Sequence, residues 1–545
     1  MRRPHYGTLR FTDIISGVIT RSVALFLVFW GTAYFIHEPI LGHNSLTNLI
    51  MGAAPLHGMG APYRDYWDIY PPGIYIIYGL LEFLFSGNIL AYKLLHIGTV
   101  LAVCEMASGL VRTRIGNTIG SAADRIAYIF FSAITCLMLN SPHLNTIFFS
   151  NVLICVLISV AGLSFFIYSR SLFFCYGLST FLFTFSGFVK DPFIFTAVLP
   201  ALFIFREFKS KNRTIKALVW TFLGATAAVL INGAYLVKLN IAGSYLEVFK
   251  FKYDYFIKDK TVGAGEGKPL DFLSEYFEYT FYYSDVIIYL MFAVFGISII
   301  LALRQYSKNS RCSCDYLIYP AFFLLNYIGF KAQGRIIGTY CLQMTVPTVL
   351  VCCQIFVLFR KITFNVQFGS FVALLTLFAF LPQREVFASF FKQEFPAPRE
   401  YYEGLRVKRA QAPEIYSPLL KQLLSEDKSM LALYGWGTPT YYYKFNVKPF
   451  SRFFVVHPNI LGDHQLKEWV TAFKSKLPRV VMYLSDPQNA DMDVELFERQ
   501  TINIGKLLKD CYKNVDTKFY VLPAGKCALF DLDIGAYINP KYVNN

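Results

Sequence analysis

Apolar runs long enough to cross about 30 Å of hydrocarbon recur from Ser22 to Phe380, separated by short clusters of Lys and Arg. A chain with this pattern is expected to be a polytopic α-helical membrane protein. Its 545 residues are 55% hydrophobic, 18% aromatic and only 16% charged, with a mean hydropathy of +0.42, values that no average soluble domain combines. The formal charge of +15 does not mark a nucleic-acid binder, because the basic residues sit between apolar runs and not along one face. They are topology signals, and no nucleic-acid partner is expected.

The segment Pro71-Pro72-Gly73 followed by Ile74 to Phe85 decides the number of crossings. Its apolar part is about twelve residues long and includes Glu82, which is short for a span. Read as a helix lying flat at the interface, it leaves every basic cluster on one side: the N-terminus, Arg112/Arg114/Arg125, Arg170, Arg206 to Lys216, Arg304/Lys308/Arg311 and Arg360/Lys361. The expected spans are then 22–37, 88–111, 125–140, 145–168, 172–188, 192–206, 217–237, 285–303, 315–330, 337–359 and 364–382, about eleven in all. This count places the N-terminus in the cytoplasm and the C-terminus outside. Arg2, Arg3 and Arg10 precede the first apolar run with no cleavage site behind it, so that run is expected to stay as an anchor.

Composition turns mixed and charged after Pro382, dividing the chain into a membrane domain, 1–382, and an extracytoplasmic domain, 383–545. The membrane domain carries two long outer loops, 38–87 and 239–284. In the C-terminal part, strand-like runs (Met430 to Tyr434, Val480 to Leu484, Phe519 to Leu522, Ala528 to Leu532) alternate with helical patterns (Ser417 to Leu424, Gln465 to Phe473, Asp493 to Leu508), which suggests α/β architecture. Of eleven cysteines, most lie in apolar runs as small buried hydrophobes, whereas Cys511 and Cys527 could pair if their domain is extracytoplasmic.

Three stretches could carry chemistry. Tyr63-Arg64-Asp65-Tyr66-Trp67-Asp68-Ile69-Tyr70-Pro71-Pro72-Gly73 packs a cation, two carboxylates and aromatics at a membrane edge, where carboxylates suit sugar hydroxyls, aromatics suit sugar faces and Arg suits phosphate. An interfacial aromatic belt with a local ion pair explains the same residues equally well. Lys190-Asp191 forms a tight turn between two spans, and Lys331 to Arg335, followed by Tyr340, adds two cations at the same depth. Separately each could be a snorkelling interfacial residue; together they would make an electropositive pocket.

The Tyr-Arg-Asp-Tyr-Trp-Asp-x-x-Pro-Pro-Gly run, the turn Phe185 to Pro192, the stretch Gly334-Arg335 through Tyr340 to Pro347, and Tyr434-Gly435-Trp436-Gly437-Thr438-Pro439 occur in the order that resembles the GT-C glycosyltransferases using polyprenyl-phosphate sugars, the group that includes protein O-mannosyltransferases and the lipid A aminoarabinose transferase. The resemblance implies a GT-C-like fold and an inverting single displacement from a polyprenyl-phosphate sugar onto a cell-envelope glycan, lipid or protein. It also implies Glu38 or Asp65 as the base, Arg64, Lys190 and Arg335 around the phosphate, and Tyr63, Asp68, Asp191 and Tyr340 as further binding residues. No cofactor is expected, metal dependence is open, and a bacterial inner membrane is the expected setting. The sequence departs from the family where His43 and Asn44 stand in place of its acid, and where Ser141 to Asn145 lacks a carboxylate. The alternative is a catalytically silent scaffold or a lipid-linked-sugar transporter, the latter disfavoured because no internal repeat is visible and charges avoid the spans.

Overall fold

The computed structural model describes residues 43–86, 88–115, 150–208, 210–252, 317–332, 338–362, 413–424, 429–433, 447–453, 463–475, 477–483, 504–516 and 519–521, with a few isolated positions between them. The expected spans 22–37, 125–140, 285–303 and 364–382 lie largely or wholly outside these residues. In chain order the principal helices are α1 (His43–Ala53), α2 (Pro72–Phe85), α3 (Ile89–Ile115), α4 (Asn151–Tyr168), α5 (Ser179–Val189), α6 (Lys211–Lys238), α7 (Ala242–Lys252), α8 (Ile318–Ala332), α9 (Gly338–Ile362), α10 (Pro413–Leu423), α11 (Asp463–Ser475) and α12 (Ile504–Cys511). The chain divides into two compact units, one of residues 1–37, 90–232 and 263–395, the other of 38–89, 233–262 and 396–545. Segments 38–89 and 233–262, which overlap the two long loops, group with 396–545.

The first unit is helical. Among the described residues, three helices are long and apolar enough to cross a membrane by length and composition: Leu90–Thr113, Asn151–Tyr168 and Lys211–Lys238. Only 17% of the apolar window of α6 is buried, and Phe222 and Leu230 are 69% and 64% exposed, a surface suited to hydrocarbon and not to water. Ser150 caps α4 by accepting from the Leu153 N–H at 3.2 Å. α4 packs on α5 and α9, and α8 packs on α9 and on the turn that follows α5.

The span expected at 192–206 is not one α-helix. Asp191–Ala197 and Ile204–Glu207 are 3₁₀ turns flanking the short helix Val198–Leu202, which contains Pro200. Proline at 192 opens the first turn and proline at 200 removes a mid-segment donor, so a continuous i→i−4 ladder cannot form. The tighter 3₁₀ winding has the larger rise and lengthens the segment: at about 2.0 Å per 3₁₀ residue and about 1.5 Å per α residue it still reaches about 30 Å.

In the second unit, α1 and α2 cross where Gly52 meets Gly79 and Tyr78, and a Cβ on Gly52 would lie 2.7 Å from the Gly79 nitrogen. α1 begins at His43 and Asn44 and lies within 38–87, where the sequence predicts a loop. Pro71-Pro72 starts α2 as proline does at a helix N-terminus, and Ser86 in a left-handed conformation ends it, its N–H donating to the Glu82 carbonyl. α2 buries Ile74, Tyr75, Tyr78 and Leu81 and exposes Leu80, Phe83 and Leu84. The five strands β1 (Ser429–Leu433), β2 (Lys448–Pro449), β3 (Val480–Tyr483), β4 (Lys513–Asp516) and β5 (Phe519–Val521) form one sheet in the order β2-β1-β3-β5-β4, parallel across β2-β1-β3 and antiparallel across β3-β5-β4. Phe450, Trp469 and Phe473 pack as an aromatic cluster beside β2, with ring centroids 5.2–5.7 Å apart. Cys511 is disulfide-bonded, with its partner outside the described residues.

Among the described glycines of the first unit, Gly329 has the least room, since a Cβ there would sit 2.0 Å from the Pro192 carbonyl oxygen. Gly329→Ala is expected to destabilise the protein by about 1–3 kcal/mol or more through overpacking, read as a lower thermal midpoint in detergent. Gly98→Ala, where a Cβ meets nothing within 4 Å, is expected to leave the midpoint unchanged or raise it.

Candidate functional site

The segment from Gly58 to Tyr70 has little regular structure, and its shape comes from short hydrogen bonds within itself. Gly58 and Gly60 have φ of +66° and +116°, and a Cβ at Gly60 would lie 2.7 Å from the Asp65 side chain, so glycine is required there. The Tyr63 N–H donates to the Tyr66 carbonyl at 2.7 Å and the Asp65 N–H to the Ala61 carbonyl at 3.0 Å. The hydroxyl of Tyr63 donates to the Tyr70 carbonyl at 2.8 Å, and that of Tyr66 to the Met59 carbonyl at 3.1 Å. Tyr63 itself takes φ +65°, the left-handed region that a bulky aromatic residue rarely occupies.

The two carboxylates of this loop have different environments. Asp65 Oδ2 accepts from the Ala61 N–H at 2.7 Å and from Arg64 Nε and Nη2 at 3.0 and 2.8 Å. The Arg64–Asp65 pair faces solvent, its side chains 48% and 39% exposed. Asp68 is buried; its Oδ1 accepts from the Ile69 N–H at 2.6 Å and its Oδ2 from the Tyr75 hydroxyl at 2.9 Å. Burial pushes the Asp68 pKa up to about 6, opposed by those two hydrogen bonds and by the charge of Lys252 at the end of α7. Burial, and then the Asp65 charge, raises Tyr66 to about 12. The Tyr75 hydroxyl lies well above its usual range through burial and its carboxylate neighbour Asp68.

Arg452, which the sequence reading did not single out, ties this loop to two other segments of the same unit. Its Nε and Nη2 donate to Glu468 Oε1 and Oε2 at 2.7 and 2.5 Å, and its Nη1 and Nη2 to Glu247 Oε2 and Oε1 at 3.0 and 2.7 Å. A fifth bond runs from Nη1 to the Tyr63 carbonyl at 3.4 Å. The guanidinium lies over the rings of Trp67 and Phe453, 4.9 and 5.0 Å from their centroids, and its backbone carbonyl accepts from the Trp67 N–H at 2.7 Å. Burial works against the Arg452 charge, but the two carboxylates outweigh it and leave the group more basic than usual. From α7, Tyr245 packs on Tyr63 and Phe251 on Trp67, with centroids 5.2 and 5.6 Å apart.

Of the residues expected at a site, Tyr63, Arg64, Asp65 and Asp68 lie together in this loop, whereas Lys190, Asp191 and Tyr340 belong to the first unit. Lys190 is buried and Asp191 exposed in the turn after α5; Tyr340 falls in α9. Glu38 and Arg335 lie outside the described residues. Among the described residues, Glu247, His464 and Glu468 bring one potential metal ligand each within 4.8 Å of one another. The oxygens of both glutamates already face the Arg452 guanidinium, whose fixed positive charge opposes a second cation there. Their arrangement is the counter-ion set of an arginine. A separate pair joins half-exposed His57 to buried Glu82, Nε2 to Oε1, at 3.0 Å.

No family model and no curated protein matches the chain. Among solved structures, it is similar to the archaeal oligosaccharyltransferase AglB from Archaeoglobus fulgidus in complex with an inhibitory peptide and a dolichol-phosphate, at 12% identity, with 93% of this chain and 74% of that one covered and a TM-score of 0.47. It is also similar to the Archaeoglobus fulgidus oligosaccharyltransferase in complex with Zn and sulfate, at 14% identity, with 92% and 73% covered and a TM-score of 0.45.

Asp68 sets a pH dependence of stability. Its folded-state pKa of about 6 exceeds the ordinary 3.8, so folding favours the protonated form. The contribution is full below about pH 4 and is lost as pH rises past about 6, a change of about 3 kcal/mol for about two pKa units. Thermal melts of the solubilised protein are expected to show a lower midpoint at pH 8 than at pH 5, and the drop should shrink in Asp68→Asn. Equal pH profiles for the two proteins would refute this assignment.

Proposed function

We propose that this chain is a membrane glycosyltransferase of the GT-C type, which takes a sugar from a polyprenyl-phosphate donor and passes it to an acceptor on the extracytoplasmic side. The observation that carries this reading is the Arg64–Asp65 pair, a guanidinium and a carboxylate held half-exposed on a loop whose backbone is fixed by glycine, aromatic and hydrogen-bond constraints. Cation, carboxylate and aromatic rings are the groups needed for a phosphate, an acceptor proton and a sugar face. The run that carries them has the Tyr-Arg-Asp pattern of the family it resembles.

In the proposed reaction the acceptor heteroatom attacks the anomeric carbon while the bond from that carbon to the phosphate oxygen breaks. The acceptor proton passes to a carboxylate, Asp65 or Glu38, and the polyprenyl phosphate leaves with the electron pair, its charge met by Arg64. A single displacement inverts the anomeric centre. Lys252, close enough to Asp68 to affect its ionisation, adds a cation on the loop side. Two further features support the setting. The disulfide at Cys511 suits an oxidising compartment, and the exposed Leu80, Phe83 and Leu84 of α2 suit a helix lying flat in a membrane interface. A silent scaffold is the second reading, favoured by the engagement of Asp65 Oδ2 and both Asp68 oxygens within the protein.

The test is a transfer assay in membranes with radiolabelled polyprenyl-phosphate sugars. Loss of a true base, by Asp65→Asn or Glu38→Gln, is expected to lower transfer by about 10²-fold or more at matched expression, and Arg64→Ala to lower it as well. Absence of transfer by the wild type with every donor, together with equal rescue of a deletion phenotype by all variants, would leave the scaffold reading.

A further inference from the structure

We infer that Arg452 is a positioning residue for the Tyr63–Asp68 loop, and that the C-terminal segment bearing it is therefore part of the site machinery and not an appended module. A bulky residue such as Tyr63 at φ +65° is strained, and the conformation persists only where the surroundings over-determine it. Here the N–H, the hydroxyl and the carbonyl of Tyr63 are each engaged, the first two inside the loop and the third by Arg452 Nη1. Four residues on, the Trp67 N–H is held by the Arg452 carbonyl and its ring lies under the guanidinium. Arg452 thus grips the loop at both ends of Arg64-Asp65-Tyr66, the stretch that presents the exposed ion pair.

The grip is itself anchored. Glu468 on α11 and Glu247 on α7 each receive two of the guanidinium N–H groups, and the Tyr63 carbonyl takes the remaining one, so all five donors of the side chain are used. A lysine supplies charge but not this planar fork. α7 also lays Tyr245 and Phe251 on the loop, so the two glutamates fix its cover as well as its support.

This inference rests on the glycosyltransferase reading only for its activity readout. Hydrogen exchange of the full-length protein in detergent tests the positioning directly, with Arg452→Lys and the neutralised triple variant Arg452→Met/Glu247→Gln/Glu468→Gln, which leaves no carboxylate without its cation. The expected result is at least tenfold faster exchange across residues 59–71 in both variants, with the amides of β1 and β3 unchanged. In the transfer assay kcat should fall at least tenfold with a smaller change in KM, and lysine should not restore it. Wild-type exchange across 59–71 in the triple variant overturns the inference, as does loss of protection spread equally over the sheet, which marks a merely structural role. If the wild type transfers no sugar, the functional reading fails and the exchange result still decides the positioning.

Discussion

The Arg452 guanidinium organises three stretches of the second unit that are far apart in sequence. Its bonds reach Tyr63 across 389 residues, Glu247 across 205 and Glu468 across 16. Arg452 is only 14% exposed while Glu247 and Glu468 are 35% and 41% exposed. The cation is therefore largely desolvated, and its carboxylates keep part of their hydration, which limits the penalty that usually offsets a buried ion pair. Geometry, more than energy, is what such a double fork supplies: two carboxylate planes and one carbonyl fix the position of the guanidinium, and the stacked Trp67 and Phe453 rings fix its tilt.

The first unit faces a different constraint, since polar groups within apolar helices must find partners inside the protein. They do so locally. The side-chain amides of Asn232 and Asn326 donate to the carbonyls four residues back, at 2.8 Å, and Gln343 reaches the Asn326 carbonyl at 3.3 Å. Ser164 and Thr196 bond to carbonyls four and three residues earlier. Such back-bonding lets a helix carry polar atoms without a partner helix, which is compatible with the sparse packing of α6. Where helices do approach closely, glycine makes it possible: a Cβ on Gly224 would lie 2.2 Å from the Gly177 carbonyl oxygen.

Hydropathy made α3, α4, α6, α8 and α9 legible in the sequence, because length and apolar composition are local properties. Pro71-Pro72 likewise announced the start of α2, and short continuous apolar runs between helical patterns located β1, β3 and β5 to within a residue. The broken segment 191–207 was misread as a regular span because hydropathy does not register the donor that Pro200 lacks. The two-residue β2 and the polar β4, Lys513–Asp516, carry no strand signal of their own and exist by pairing with neighbours. The cluster around Arg452 was invisible for a related reason. Ser451-Arg452-Phe453 is an unremarkable tripeptide until Glu247 and Trp67 are brought to it. Lys252, whose charge acts on Asp68 from the last turn of α7, was hidden in the same way, in a segment with no motif.

Asp65 and Asp68 show how far environment, and not residue type, assigns roles within one short loop. Asp68 gives both oxygens to Ile69 and Tyr75 and is buried, so a substrate would have to displace protein bonds to reach it. Asp65 is paired with Arg64 at the surface, where such a pair contributes about 0–1 kcal/mol. A weak pair is the more useful one in the proposed reaction. A donor phosphate can take the guanidinium of Arg64 at little cost, and the exchange leaves the Asp65 carboxylate, still oriented by the Ala61 N–H, free to accept a proton. The same event that binds the leaving group would then release the base, whereas a deeply buried ion pair at this position would hold both groups and do neither.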